Sequence, residues 1–194
     1  MDYISESDIK NIVQKVMQTL PGSTGKPSTA SSLQSSPANT QSNKTVAIGS
    51  DHGGFEMKGM LMAYLSELGF QAIDCGTHNK ESVDYPDFAF AVADKVRSGA
   101  AWRGVVIDGA GIGSCMAANK VPGVRAAMCV DYATALNSRE HNDANLLTLG
   151  AGLLGENQVK LIVKTWLETP FSGGRHTRRV DKIMEIEQKF SRGG

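Results

Sequence analysis

The chain has 194 residues, enough for one ordinary domain with a sizeable core and something appended. Its 20 basic residues balance 20 acidic ones, so global charge argues neither for nucleic acid nor for an anionic membrane as partner. No apolar run approaches the roughly 20 residues of a membrane span, the N-terminus lacks a basic-then-apolar signal pattern, and Cys75, Cys115 and Cys129 show no Cys-x-x-Cys spacing, which fits a reducing cytoplasm and argues against structural zinc.

Residues 1–20 predict an amphipathic helix, because Ile9, Ile12, Val13, Val16, Met17 and Leu20 fall on one i, i+3, i+4, i+7 stripe. Ser5 or Ser7 supplies a cap, and Pro21 with Gly22 ends the helix. Residues 21–44 are Ser, Pro, Gly, Thr and Asn in the main, a composition that reads as a flexible linker. A helix of about four turns is marginal alone, so its stripe is expected to meet a surface. Two readings stand: it folds back on its own domain or oligomer, or it docks in a partner's groove. A short amphipathic helix on such a linker resembles the encapsulation peptides that carry enzymes into bacterial microcompartments. That resemblance implies a shell protein as partner of residues 5–20.

From residue 45 onward strands and helices alternate. Strands are expected at 45–49, 70–74, 104–108, 124–130 and 145–149, and helices at 54–68, 86–98, 112–120, 131–140 and 155–168. A polar helix over about 176–191 closes the chain. Five βα units predict an α/β fold over 45–194, a three-layer αβα sandwich around a five-stranded parallel sheet of Rossmann-like type. Ligands then gather at the loops that follow the strands.

Residues 105–120 carry the strongest signal. An apolar run ends at Asp108, Gly109, Gly111 and Gly113 follow at alternate positions, and a helix of small residues begins. Alternate glycines let backbone N–H groups converge on one point, to which the helix adds its positive end, so the turn reads as a nest for an anion or a developing oxyanion. Asp108 beside it is a candidate base for a carbon-bound proton. The spacing is not the dinucleotide fingerprint, because Gly113 comes one residue early, and no P-loop lysine follows.

Other strand-end corners are equally polar. Ser50-Asp51-His52-Gly53-Gly54 places an acid and an imidazole at a strand tip, although Asp51 is also suited to capping the next helix. Asp84 and Tyr85 line the same edge or merely shape the turn before Pro86. His141, in Arg139-Glu140-His141-Asn142-Asp143, has the pKa range of a proton shuttle. Arg175 and Arg179, with His176 between them, stand at i, i+4 and are expected to clamp a phosphate from one helix face. Together these corners describe one site for a phosphorylated sugar.

Ser-Asp-His-Gly-Gly, Asp-Tyr-Pro, Gly-Ala-Gly-Ile-Gly with Ala-Ala-Asn-Lys, Arg-Glu-His-Asn-Asp-Ala-Asn and Gly-Gly-Arg-His occur here in order. The set resembles the ribose-5-phosphate isomerase type B family, which includes the galactose-6-phosphate isomerase subunits, over about residues 45–190. The resemblance implies a homodimer or dimer of dimers with sites at subunit interfaces, no metal and no cofactor. It implies aldose–ketose isomerisation through an enediolate, most simply of ribose 5-phosphate. His141 then assists ring opening, and Asp51, His52 and Asn142 contact substrate. Residues 109–113, with Gly109, Gly111, Ile112 and Gly113 as the contacts, form the anion hole, and Arg175, His176 and Arg179 bind phosphate. Four positions depart from the family pattern. Asp108 stands where many members have a cysteine base, Ser114 where others have a glutamate base, Ala110 where a threonine or serine assists, and Gly152 where a further arginine is expected. The alternatives are an isomerase of galactose 6-phosphate or allose 6-phosphate, and a sugar-phosphate binding protein without catalysis.

Overall fold

The structure is a computed structural model that describes residues 45–191; the expected helix at 1–20 and linker at 21–44 lie outside the described residues. Five strands, β1 (Thr45–Ser50), β2 (Gln71–Asp74), β3 (Arg103–Asp108), β4 (Ala126–Met128) and β5 (Leu146–Gly150), form one sheet in the order β2-β1-β3-β5-β4. Every pairing is parallel. The helices are α1 (Phe55–Glu67), α2 (Tyr85–Arg97), α3 (Ile112–Ala118), α4 (Tyr132–Glu140), α5 (Glu156–Glu168) and α6 (Thr177–Ser191). The expected three-layer sandwich is therefore present, with one strand shorter than its apolar run: β4 keeps three residues of the 124–130 stretch.

Alternation along the strands divides the core in two. Val46, Ile48, Val105, Ile107, Leu147 and Leu149 face α1 and α5, where Leu61, Leu65, Ile162 and Trp166 are buried. Ala47, Val106 and Leu146 face the other layer, where Ala89, Val92 and Ala93 of α2 and Ala118 of α3 are buried. The connection through α1 thus covers one face of the sheet and that through α2 the other. The order of strands reverses between β1 and β3, which opens a crevice past their carboxyl ends, the usual ligand position in such sheets.

Local chemistry fixes the loops around that crevice. Asp51 accepts the Gly54 N–H (3.0 Å) and caps the short 3-10 turn His52–Gly54 that leads into α1. Gly54 lies against β3 so closely that a Cβ would sit 2.5 Å from the Ile107 carbonyl oxygen. Gly111 enters α3 from the left-handed region (φ 79°), where side chains are strained. Asp131 forms a capping box with Thr134 at the start of α4.

Gly54→Ala is expected to lose about 1–3 kcal/mol of unfolding free energy through overpacking against β3. Urea denaturation followed by circular dichroism checks this.

Candidate active site

At the carboxyl edge of the sheet, β1 and β3 end side by side, and Asp51 N–H donates to the Ile107 carbonyl (3.2 Å). Val83 N–H donates to His52 Nδ1 (3.2 Å), so the neutral His52 ring carries its proton on Nε2. The loop bearing Val83 is itself held at its root by an ion pair between buried Lys58 and the more open Asp74: Lys58 Nζ meets Asp74 Oδ1 at 2.5 Å, and Asp74 also accepts the Gly76 N–H at 2.9 Å. Tyr85 packs its ring on Gly113, where a Cβ would fall 2.5 Å from the phenol carbon. Tyr85 thereby belongs to the glycine turn, which its place before Pro86 did not decide.

Asp108 is 4% exposed and turned into that turn. Its Oδ1 accepts N–H groups of Ala110 (2.7 Å) and Gly111, and its Oδ2 accepts the Ser114 N–H (3.0 Å). Burial alone pushes the carboxyl up. The Ser114 hydroxyl and the three backbone donors outweigh it and hold Asp108 below the usual carboxylate range. That hydroxyl is buried and reaches no partner at hydrogen-bonding geometry, so it acts here as a nearby dipole. Backbone N–H groups of this turn do converge, but on Asp108 itself, Gly111 N–H included. Ile112 and Gly113, at the first two positions of α3, have N–H groups without an acceptor in their own helix. An ionised carboxylate offers about four acceptor sites, and the backbone bonds leave Oδ2 with one of them. Cys115 is half-buried, and its Sγ contacts the Ala126 carbonyl (3.5 Å) instead of the turn. Gly152 donates its N–H to the Gly109 carbonyl (2.9 Å).

The second group of polar residues lies elsewhere. His141 follows α4, which runs back toward the amino ends of the strands. Asp143 pairs with Arg125, just ahead of β4, and with Arg139 of α4 (3.0 and 2.9 Å). Asn145 bonds both ways with the Arg125 backbone, and Gly104, second in β3, donates to the Asn145 carbonyl. The segment that leads to Arg175 lies at this same edge, since Ser172 N–H donates to the Glu140 carbonyl (3.0 Å). Buried Arg103 begins β3 and donates to the carbonyls of Trp166 (2.5 Å), Leu167 (2.9 Å) and Thr169 (3.3 Å) at the end of α5, with its guanidinium 3.9 Å above the Trp102 ring. Burial, then repulsion from Arg139, pulls its pKa down to about 9, with Asp143 opposing.

In one chain the expected single site is therefore two half-sites. Asp51, His52, Asp108 and residues 109–113 stand at the carboxyl edge; His141, Asn142, Arg175, His176 and Arg179 stand toward the amino edge. The length of β3 alone separates the edges by about 17 Å. The arginine spacing is also corrected: Arg175 sits in a 3-10 turn (Gly174–His176), and Arg179 in the first turn of α6. Both still lie near enough to His176 to act on its charge. The rings of His141 and His176 stack at 4.1 Å with an interplanar angle of 5°. Asn137, which the sequence motifs did not mark, contacts His141 Nδ1 through its amide nitrogen (2.8 Å). Its i, i+4 spacing from His141 on a helix was the signal available. Among the described residues, no three His, Cys, Asp or Glu side chains cluster to hold a metal ion, and no helix is long and apolar enough to cross a membrane.

The profile of the ribose/galactose isomerase family matches residues 46–183. The chain belongs to that family. A ribose-5-phosphate isomerase B of Clostridium thermocellum superposes with a TM-score of 0.74 at 53% identity, covering 75% of this chain and 99% of the other. Ribose-5-phosphate isomerase B of Escherichia coli (strain K12) is 43% identical over 75% of this chain and 98% of its own length. The Mycoplasma genitalium ribose-5-phosphate isomerase B with bound ribulose-5-phosphate superposes with a TM-score of 0.72 at 42% identity, covering 74% and 96%. Within the ribose/galactose isomerase family, then, this chain carries its Asp108 nest on the shared fold.

Because the Asp108 carboxyl has a lower pKa folded than unfolded (about 3.9), it contributes stability above about pH 4 and loses it as pH falls through the folded value. Asp108→Asn turns an amide N–H toward a backbone donor and is expected to cost about 1–3 kcal/mol at pH 7. In urea titrations the gap from the parent protein should narrow below pH 4.

Proposed function

We propose that this chain interconverts ribose 5-phosphate and ribulose 5-phosphate through an enediolate, at sites completed by a second copy of the chain. One observation carries the reading: the acceptor and nest at one edge and the imidazole with its arginines at the other are complementary, yet too far apart to serve one small sugar. A two-fold dimer that sets the carboxyl edge of one copy against the amino edge of the other assembles two complete sites. The bound ribulose-5-phosphate of the Mycoplasma genitalium relative supports the choice of sugar.

In this reading His141 moves the proton that opens the furanose ring. Asp108 accepts the C2 proton at the remaining site on Oδ2 and returns it to C1. The developing oxyanion is met by the Ile112 and Gly113 N–H groups. Asp51, His52 and Asn142 contact sugar hydroxyls, and Arg175 and Arg179 hold the phosphate. The lowered pKa makes Asp108 a weaker base than an ordinary carboxylate, and each tenfold loss of basicity costs about 1.4 kcal/mol. Holding the carbon acid against a fixed, dry carboxylate offsets part of that loss.

Residues 1–44 precede the family match, while the relatives are covered over almost their whole length. We propose that residues 5–20 are a docking tag for a microcompartment shell protein, joined by the 21–44 linker to the 45–194 isomerase domain, and that the enzyme works in the cytoplasm or inside such a compartment. The amphipathic stripe and linker composition support this.

Ribose 5-phosphate in D₂O should gain deuterium at C2, followed by NMR, and Asp108→Asn should slow that exchange at least about 100-fold while sugar-phosphate binding survives. Unchanged exchange would remove Asp108 from the proton path. Refolding equal amounts of Asp108→Asn and His141→Ala together should restore about a quarter of wild-type activity, because half the dimers are mixed and each mixed dimer holds one intact site. A mixture as inactive as its components would place both residues in one copy's site.

A further inference from the structure

We infer that His176 is a positioning residue for ring opening: its imidazole, stacked on His141, holds that ring in one plane with its proton on Nε2. The inference rests on the reading of His141 as the ring-opening group. Four contacts carry it. The two rings lie 4.1 Å apart and 5° from parallel. Asn142 donates its side-chain amide to Asn137 Oδ1 (3.4 Å), which turns the Asn137 amide nitrogen toward His141 Nδ1 (2.8 Å). Nδ1 is thereby an acceptor, and the neutral ring carries its proton on Nε2. On the other ring, Arg175 Nε donates to His176 Nε2 (3.3 Å), so the neutral His176 carries its proton on Nδ1.

This arrangement gives His176 a role besides any contact with phosphate: the nitrogen that faces Arg175 is engaged as an acceptor, and only Nδ1–H is left to donate. Desolvation, then the neighbouring His141, Arg175 and Arg179, hold His176 below the ordinary imidazole pKa, with Glu140 opposing. A neutral ring stacks without bringing positive charge against the His141 imidazole. Asn137 fixes His141 at one atom, and the stacked ring adds the plane that a single hydrogen bond leaves free. The resulting Nε2–H is a fixed donor for a ring oxygen, the role a neutral imidazole fills when it polarises a substrate oxygen.

Substrate chemistry separates this role from phosphate binding. In a 2-ketopentose 5-phosphate the C5 oxygen is esterified, so no furanose can close and the sugar enters open. Deuterium exchange at C1 of ribulose 5-phosphate therefore reports proton transfer alone, whereas turnover of ribose 5-phosphate also requires ring opening. His176→Ala should reduce kcat for ribose 5-phosphate at least about tenfold more than it reduces the exchange rate at saturating ribulose 5-phosphate. His176→Phe keeps a flat ring and should recover most of the turnover. Long-range ¹⁵N–¹H spectra of the wild-type protein should show His141 protonated on Nε2, with a mixture of both forms in His176→Ala. Equal losses in turnover and exchange, a rise in KM alone, a Phe variant no better than Ala, or a wild-type His141 protonated on Nδ1 would each overturn the inference and leave the isomerase reading standing. A wild-type protein that exchanges neither sugar overturns both.

Discussion

Parallel pairing of β1, β3 and β5 is the constraint on which the rest of this protein depends. Once those strands run the same way, each helix must travel back across the sheet before the next strand starts. The chain therefore alternates between two edges some 17 Å apart, and every polar corner belongs to one of them. Asp51 and Asp108 follow strands and stand at the carboxyl edge; His141 and Arg175 follow helices and stand at the amino edge. No adjustment of side chains within one copy joins them. In the proposed dimer a second copy brings the two sets of groups to one sugar, and the same topology that separates them supplies both edges on each copy.

Each edge is held by charge placed where water is scarce. At the carboxyl edge a buried carboxylate replaces solvent with three backbone N–H groups of its own turn, which keeps it ionised and organises the start of α3. At the amino edge two buried arginines, Arg103 and Arg139, both donate to the Thr169 carbonyl where α5 ends. Arg139 also bonds the Ala144 carbonyl and Asp143, so the turn that presents His141 and Asn142 is tied to the same point. Asp143 accepts this geometry with a positive φ of 46°, a conformation in which Asp is among the more tolerant side chains. The polar groups at both edges thus stand on buried, hydrogen-bonded supports.

The departures from the family pattern acquire a physical meaning in this setting. Asp108, Ala110 and Ser114 occupy one turn, and two of them act on the third: Ala110 and Ser114 give their N–H groups to the Asp108 carboxylate. A longer acid at position 108 would not sit in that nest in the same way, and a thiol would offer one acceptor atom where the carboxylate offers two. What this edge presents is therefore a hard carboxylate oxygen, ionised at neutral pH and held by its own loop.

Much of the architecture was legible in the chain itself. Apolar runs of four to six residues, broken by glycines and by the 3.6-residue pattern of the helices, set the five βα units, and their polar ends marked Asp51, Asp108 and His141 as residues to watch. These are local properties, decided by neighbours in sequence, and a family motif set in order adds to them. Contacts between distant segments were not legible in the same way. The order β2-β1-β3-β5-β4, the filling of the glycine nest by Asp108, Tyr85 on Gly113, and the stack of His141 on His176 all depend on where packing brings separate elements. The sequence alone determined the fold class and which polar residues end each element, because periodicity and turn chemistry are written residue by residue. Tertiary structure decided which groups share an edge, because the direction of each helix across the sheet, and not the spacing of residues along the chain, sets which corners can meet.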